Sequence, residues 1–161
     1  MRSSELHCDL IEDPVAGPCE LFQRFAGPVA VRCELASWSF AKRKVDGSID
    51  YVSPLPCPFA YGELENTRSG DGAPIDALIL GAGPAVGALN LAHLIAVVDF
   101  VDNGEFDPKL IVRLGNAKPL SHRERWQVFA FFALWTPFKA ILRLKRRQSG
   151  RTRFRGLFES R

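Results

Sequence analysis

Residues 71 to 76 read Asp71-Gly72-Ala73-Pro74-Ile75-Asp76, and the next four residues, 77 to 80, are all apolar. Gly72 and Pro74 favour a tight turn, since glycine tolerates positive φ and proline fixes its own. An apolar run of this length after a turn is the pattern of a buried strand. The turn therefore delivers two carboxylates, Asp71 and Asp76, to the mouth of a strand. A second loop repeats the arrangement. Asp102-Asn103-Gly104-Glu105-Phe106-Asp107-Pro108-Lys109 separates the apolar runs 91–101 and 110–114. Oxygen ligands converging from rigid strand ends are what a hard cation such as Mg²⁺ requires. Asp and Gly also make ordinary surface turns, so spacing alone leaves both readings open.

Working outward, residues 29 to 34 alternate, with Val29, Val31 and Cys33 against Ala30, Arg32 and Glu34, which is strand periodicity. Residues 39–45 and 48–52 form a second strand pair around an Asp46-Gly47 hairpin turn. Pro54, Pro56 and Pro58 force an extended approach to Tyr61-Gly62. Gly81-Ala82-Gly83-Pro84 is a turn, without the lysine or the glycine fingerprint of a phosphate loop. Ser121 with Glu124 three residues on is a capping box that opens a helix from His122 through Trp135. Residues 128 to 135 are apolar on all sides, which predicts burial on more than one face. Pro137 is expected to end or kink that helix, with a basic segment resuming at 140–144. Thr152, Phe154, Gly156 and Phe158 alternate with arginines as a final edge strand. Many strands followed by one long helix predict an α+β domain built on a small barrel. Residues 1–27, with a short helix near 19–25, read as an N-terminal extension, and 28–161 as the barrel domain with a basic tail.

The order Tyr61-Gly62, Asn66-Thr67, Asp71-Gly72-x-Pro74-x-Asp76, then Asp102, Asp107 and Lys109, resembles the signature of soluble (family I) inorganic pyrophosphatases. The resemblance covers about residues 28 to 135. It implies an OB-like closed barrel with flanking helices and one long C-terminal helix. It further implies Mg²⁺-dependent hydrolysis of pyrophosphate to two phosphates, with Mn²⁺ as a substitute ion and a homo-oligomer as the assembly. By motif match, Asp71, Asp76 and Asp102 hold the activating metals, Asp107 serves a further ion, and Glu34 is metal-linked. Lys42 and Lys109 hold phosphate, and Tyr61 stands beside the nucleophile, with Asp71 in the catalytic group. Several positions depart from the family pattern. Ala73 stands where the family has its central Asp, and Ile49 where it has a phosphate-gripping Arg. After the Phe131-Phe132 pair, Trp135 and Thr136 replace a Tyr-Lys, and Phe138-Lys139 lies one turn further on. The resemblance therefore implies impaired or altered hydrolysis. The alternative is a catalytically inactive relative that binds metal, phosphate or an anionic partner.

Composition narrows these classes. The 161 residues suffice for one domain with a sizeable core, and 47% hydrophobic with 24% charged residues is ordinary for a globular protein. The net charge of +3 is uneven: residues 139 to 161 carry nine Lys or Arg against one acid, +8, which leaves −5 on the rest. That tail could meet anionic lipid or nucleic acid, or remain a solvated surface. Four scattered cysteines, with no Cys-x-x-Cys pair, argue against a zinc ribbon or a secreted disulfide framework. Glu5, Asp9, Glu12 and Asp13 argue against a signal peptide, and no sequence run reads as a transmembrane segment. A cytoplasmic location is the expectation. The three histidines are scattered and are not read as ligands.

Overall fold

The computed structural model describes residues 17–43, 48–69, 72–147 and 149–159. The hairpin expected at Asp46-Gly47, the first 16 residues and Asp71 lie outside them. In chain order the elements are α1 (Pro18–Arg24), β1 (Pro28–Leu35), β2 (Ser39–Arg43), β3 (Ile49–Cys57), β4 (Ala60–Leu64), β5 (Asp76–Leu80) and β6 (Leu89–Asp102). They continue with β7 (Glu105–Phe106), β8 (Lys109–Leu114), α2 (His122–Lys145) and β9 (Arg153–Glu159). The barrel runs β1-β4-β5-β8-β6 and closes where β6 pairs back onto β1, from Pro28 opposite His93 to Arg32 opposite Leu89. Closure satisfies every barrel edge. β2 and β3 form a separate ribbon, and β9 lies alongside β6. The expected α+β barrel is the architecture observed.

Two apolar layers result from one alternation. On β5, Ala77 and Ile79 join one cluster, while Leu78 and Leu80 join the other. β8 divides likewise, with Leu110 and Val112 against Ile111. The first cluster fills the barrel, and α1 contributes Leu21, fully buried. The second cluster lies between the barrel wall and α2, through Val128, Phe132 and Trp135. Both strand faces are covered, so β5 and β6 read as continuous apolar runs rather than alternating ones. Gly62 is required by close approach: a Cβ there would lie 2.0 Å from the Arg32 carbonyl oxygen on the adjacent β1.

α2 corrects two expectations. It runs through Pro137 to Lys145, so the proline does not end the helix. Pro137 and Ala133, whose carbonyl loses its helical partner, are both exposed, a position where solvent can take the place of the lost donor. Burial is also one-sided. Val128, Phe132, Trp135 and Arg143 are buried, whereas Trp126, Leu134, Ile141 and Leu144 are exposed. By length and composition α2 could cross a bilayer, a test that core helices of soluble proteins also pass. Here it packs along the barrel. Its start matches expectation: the Ser121 Oγ accepts from the Glu124 amide at 3.2 Å, and the Glu124 carboxylate accepts from the Ser121 amide at 2.8 Å.

Candidate active site

The parallel pairing of β5 with β8 places Ala77 opposite Leu110, so the preceding residues, Asp76 and Lys109, start the two strands side by side. Lys109 is 6% exposed. Its ammonium donates to Asp76 and, at 2.7 Å, to Asp107 on the approach to β8. Burial opposes the lysine's charge, but the Asp76 and Asp107 carboxylates overcome it and raise its pKa above the ordinary lysine range. Two carboxylates from different strand mouths thus share one cation.

Asp102 ends β6 and is held by different partners. The β6–β7 connection is an Asn103-Gly104 turn with φ of 56° and 81°, the backbone of a tight hairpin. It leaves the Asp102 carboxylate facing α2. Lys139 Nζ donates to Oδ2 at 2.7 Å, and Arg143 Nε donates to Oδ1 at 2.7 Å. The Thr152 hydroxyl also donates to Oδ1, at 3.0 Å. Burial raises the Asp102 pKa, but hydrogen bonds from Lys139 and Thr152, with the Lys139 and Arg143 charges, more than reverse this and hold it below the ordinary carboxylate value.

A cavity of about 90 Å³ opens beside the first group, lined by Tyr61, Asp76, Lys109 and Lys139 together with Ser53, Cys57 and the aromatic face of Phe131, Phe132 and Trp135. Burial pushes the Cys57 thiol up to about 11, so it is not a ready nucleophile. A second cavity, about 190 Å³, is lined by Ser69, Asp102, Glu105, Asp107 and Arg143 among others. Ser69 belongs to the turn expected ahead of β5: its amide donates to the Ala73 carbonyl at 2.7 Å and its carbonyl accepts from Gly72 at 2.9 Å. Gly72 has φ of 82°, as the turn requires.

The structure therefore joins Asp76 and Asp107 through Lys109 with Tyr61 on the same cavity as Asp76, and pairs Asp102 with Lys139 and Arg143, Asp102 and Asp107 sharing the second cavity. The motif match groups Asp102 with Asp76 and gives Asp107 to a further ion; in the structure Asp76 and Asp107 share Lys109, and Asp107 and Asp102 line one cavity. Glu34 is half-buried on β1, next to Leu35, which lines the first cavity. Lys42 pairs through its backbone with Tyr51 on β3, and its side chain is outside the described set. Trp135 stacks on Phe131 and lines the first cavity, and Thr136 donates its hydroxyl to the Phe132 carbonyl at 2.6 Å, back onto its own helix. Ile49 is 53% exposed. Lys139 reaches the first cavity because α2 does not break at Pro137. Arg143 and Thr152 were not anticipated as site residues; the only signal was Lys139 and Arg143 four apart on the buried helix face.

Asp76 and Asp107 are the better placed oxygen donors for a divalent cation, because they converge from two strand mouths with one lysine, Lys109, between them, whereas Asp102 faces two cations and a hydroxyl. Asp102 fits less well, because a guanidinium and an ammonium stand at its two oxygens. Among the described residues, no group of three His, Cys, Asp or Glu is close enough to hold a metal.

Residues 33–128 match the family model described as "Inorganic pyrophosphatase". An inorganic pyrophosphatase of Geobacillus stearothermophilus is 36% identical over 77 residues, 46% of this chain and 47% of its own length. One of Halalkalibacterium halodurans is 38% identical over 60 residues, 37% of each. The matched stretch thus spans about half or less of these relatives. The structure of an inorganic pyrophosphatase from Neisseria gonorrhoeae superposes with a TM-score of 0.66 at 22% identity, over 83% of each chain. One from Helicobacter pylori gives 0.67 at 23%, over 84% of this chain and 86% of that one. These two share the fold. With the family match running from β1 through the acidic loops into α2, the chain belongs to the inorganic pyrophosphatase family, whose members use a divalent metal.

Proposed function

We propose that this chain hydrolyses pyrophosphate to two phosphates, with Mg²⁺ as the working cation and Mn²⁺ as a substitute, at a reduced rate. The observation that carries this reading is the convergence of Tyr61, Asp76 and Lys109 on one cavity within the family-matched segment, with Asp107 on the same lysine. Asp76 and Asp107, with Asp71 from the preceding turn and Glu34 from β1, are the residues to hold the cation. When bound, such an ion supplies Lewis acidity and neutralises part of the polyanion's charge. The protein's own groups do the rest. Lys109 and Lys42 hold phosphate oxygens by charge-assisted hydrogen bonds, which are stronger than neutral ones. Tyr61 orients the attacked end, and the aromatic wall of Phe131, Phe132 and Trp135 excludes water. Ala73 supplies no carboxylate to orient the attacking water, which accounts for the reduced rate.

The same Ala73 favours the second reading, a relative that binds phosphate without turning it over. One assay separates the two: phosphate release from pyrophosphate, with and without Mg²⁺, in wild type and Asp76→Asn. Mg²⁺-dependent release that Asp76→Asn lowers at least about a hundredfold supports hydrolysis. No release from the wild type at any Mg²⁺ concentration leaves the binding reading.

A further inference from the structure

We propose that Lys139 and Arg143 act as fixed internal cations at Asp102, taking the place a divalent ion would occupy, so that Asp102 is not a metal ligand in this chain. Its task is instead to anchor Lys139 as a standing positive charge on the wall of the first cavity.

A carboxylate offers about four acceptor positions. At Asp102, Oδ1 is fully engaged by Arg143 Nε, Arg143 Nη2 at 2.6 Å and the Thr152 hydroxyl, and Oδ2 accepts from Lys139, so each oxygen already faces a fixed cation. The cluster is mostly buried, with Asp102 and Arg143 also facing the second cavity. The Asp102 and Arg143 side chains are 16% and 10% exposed. A guanidinium stays protonated at any working pH, so it cannot yield by losing its proton, and a divalent ion reaching Oδ1 would meet that charge at contact distance. Displacing Arg143 would strand a buried charge.

The fold commits these cations to the spot. Val128, Phe132, Trp135, Lys139 and Arg143 recur at helical spacing on the face of α2 that packs on the barrel. The same packing that buries the aromatics carries Lys139 and Arg143 to the end of β6. Thr152 arrives from beyond the helix and closes the other side of Oδ1. One negative charge faces two positive ones, so the cluster is a net +1, and Lys139 presents that excess to the cavity that holds Tyr61 and Lys109. An anion there meets a cation from α2 although Thr136 is turned back onto its own helix.

The role of Lys139 toward substrate rests on the pyrophosphatase reading; the statement about Asp102 does not. The test counts bound Mn²⁺ by titration and electron paramagnetic resonance in the full chain, with circular dichroism checking each fold. Wild type and Asp102→Asn should bind the same number of ions, and Asp76→Asn should bind fewer. Lys139→Met combined with Arg143→Gln should gain an ion that a further Asp102→Asn change removes. Loss of an ion in Asp102→Asn alone, with Lys139 and Arg143 intact, overturns the proposal. If the wild type binds no Mn²⁺, the hydrolase reading fails, and the double variant still decides this one: a gained ion supports it, none refutes it. Should the double variant not fold, Lys139→Met alone serves. It should weaken binding of pyrophosphate by roughly tenfold or more with the Mn²⁺ count unchanged, and unchanged affinity overturns the role of Lys139.

Discussion

Ala73 is exposed between Gly72, at φ of 82°, and Pro74, and its carbonyl closes the turn onto Ser69. Nothing in that backbone depends on an alanine side chain, so a carboxylate can be introduced without disturbing the turn. Ala73→Asp is expected to raise kcat/KM for pyrophosphate by about 10²–10⁴-fold if the new group reaches the attacking water, which is the usual range for a positioned base. The gain should vanish when Asp71→Asn or Asp76→Asn is added. A wild-type rate that Ala73→Asp leaves unchanged would show that another residue serves as base. Pairing at Lys109 limits what single changes can do nearby: Asp76 and Asp107 lean on the same buried ammonium, so altering either one also alters the other's surroundings.

At the scale of the element, α2 carries both the second apolar layer and the two cations at Asp102. Its 24 residues begin with a satisfied capping box, and the Glu124 carboxylate is also held by Arg113 at 2.9 Å. Ser121→Ala should therefore lower stability by about 1 kcal/mol. Pro137 works in the opposite direction. A proline in a helix interior costs about 3 kcal/mol, reduced here because Ala133, whose carbonyl is freed, is exposed. Pro137→Ala is expected to stabilise the fold by about 1–2 kcal/mol and raise Tm by several degrees. Denaturant unfolding and calorimetry check both changes. A Tm lowered by Pro137→Ala would mean that the proline sets a helix direction on which the packing of Trp135 and Lys139 depends.

For the whole molecule, the ion pairs that join distant segments set the response to pH. Asp102, Glu124 and Glu159 all have pKa values held below their ordinary ones. Burial acts against ionisation at Asp102 and Glu124, and Lys139 and Arg113 respectively prevail; at Glu159 the Arg125 hydrogen bonds lead. A carboxylate whose pKa is lower in the folded than in the unfolded chain adds stability above its unfolded value and loses it as pH falls through the folded one. Stability should therefore hold near neutrality and fall away progressively below about pH 4. Lys109 has the opposite sign: its raised pKa adds stability that is complete below about pH 10.4 and is lost only as pH climbs through the folded value. Unfolding followed from pH 7 down to 2 should show a shallower acid slope in Asp102→Asn. An unchanged slope would mean that the Asp102 cluster is not ion-paired in solution.

Much of this organisation is local and was legible in residue order. Strand periodicity at 29–34, the Gly72-Pro74 turn and the Ser121–Glu124 box each depend on neighbours a few residues away, where backbone preference acts directly. The expectations that changed are those in which a distant surface decides. Residues 128 to 135 look apolar all round, but only tertiary packing selected the face that meets the barrel. Pro137 is a helix breaker by local rule, yet the helix continues through it, on a face where Pro137 and Ala133 are both exposed. The site divides the same way. Residue order alone determined that carboxylates stand at two strand mouths. Only the parallel pairing of β5 with β8 joined Asp76 to Asp107 through Lys109, and only the docking of α2 gave Asp102 its partners 37 and 41 residues away. Charge pairing across such separations follows from how the barrel closes and where the helix lies, and no local spacing carries that information.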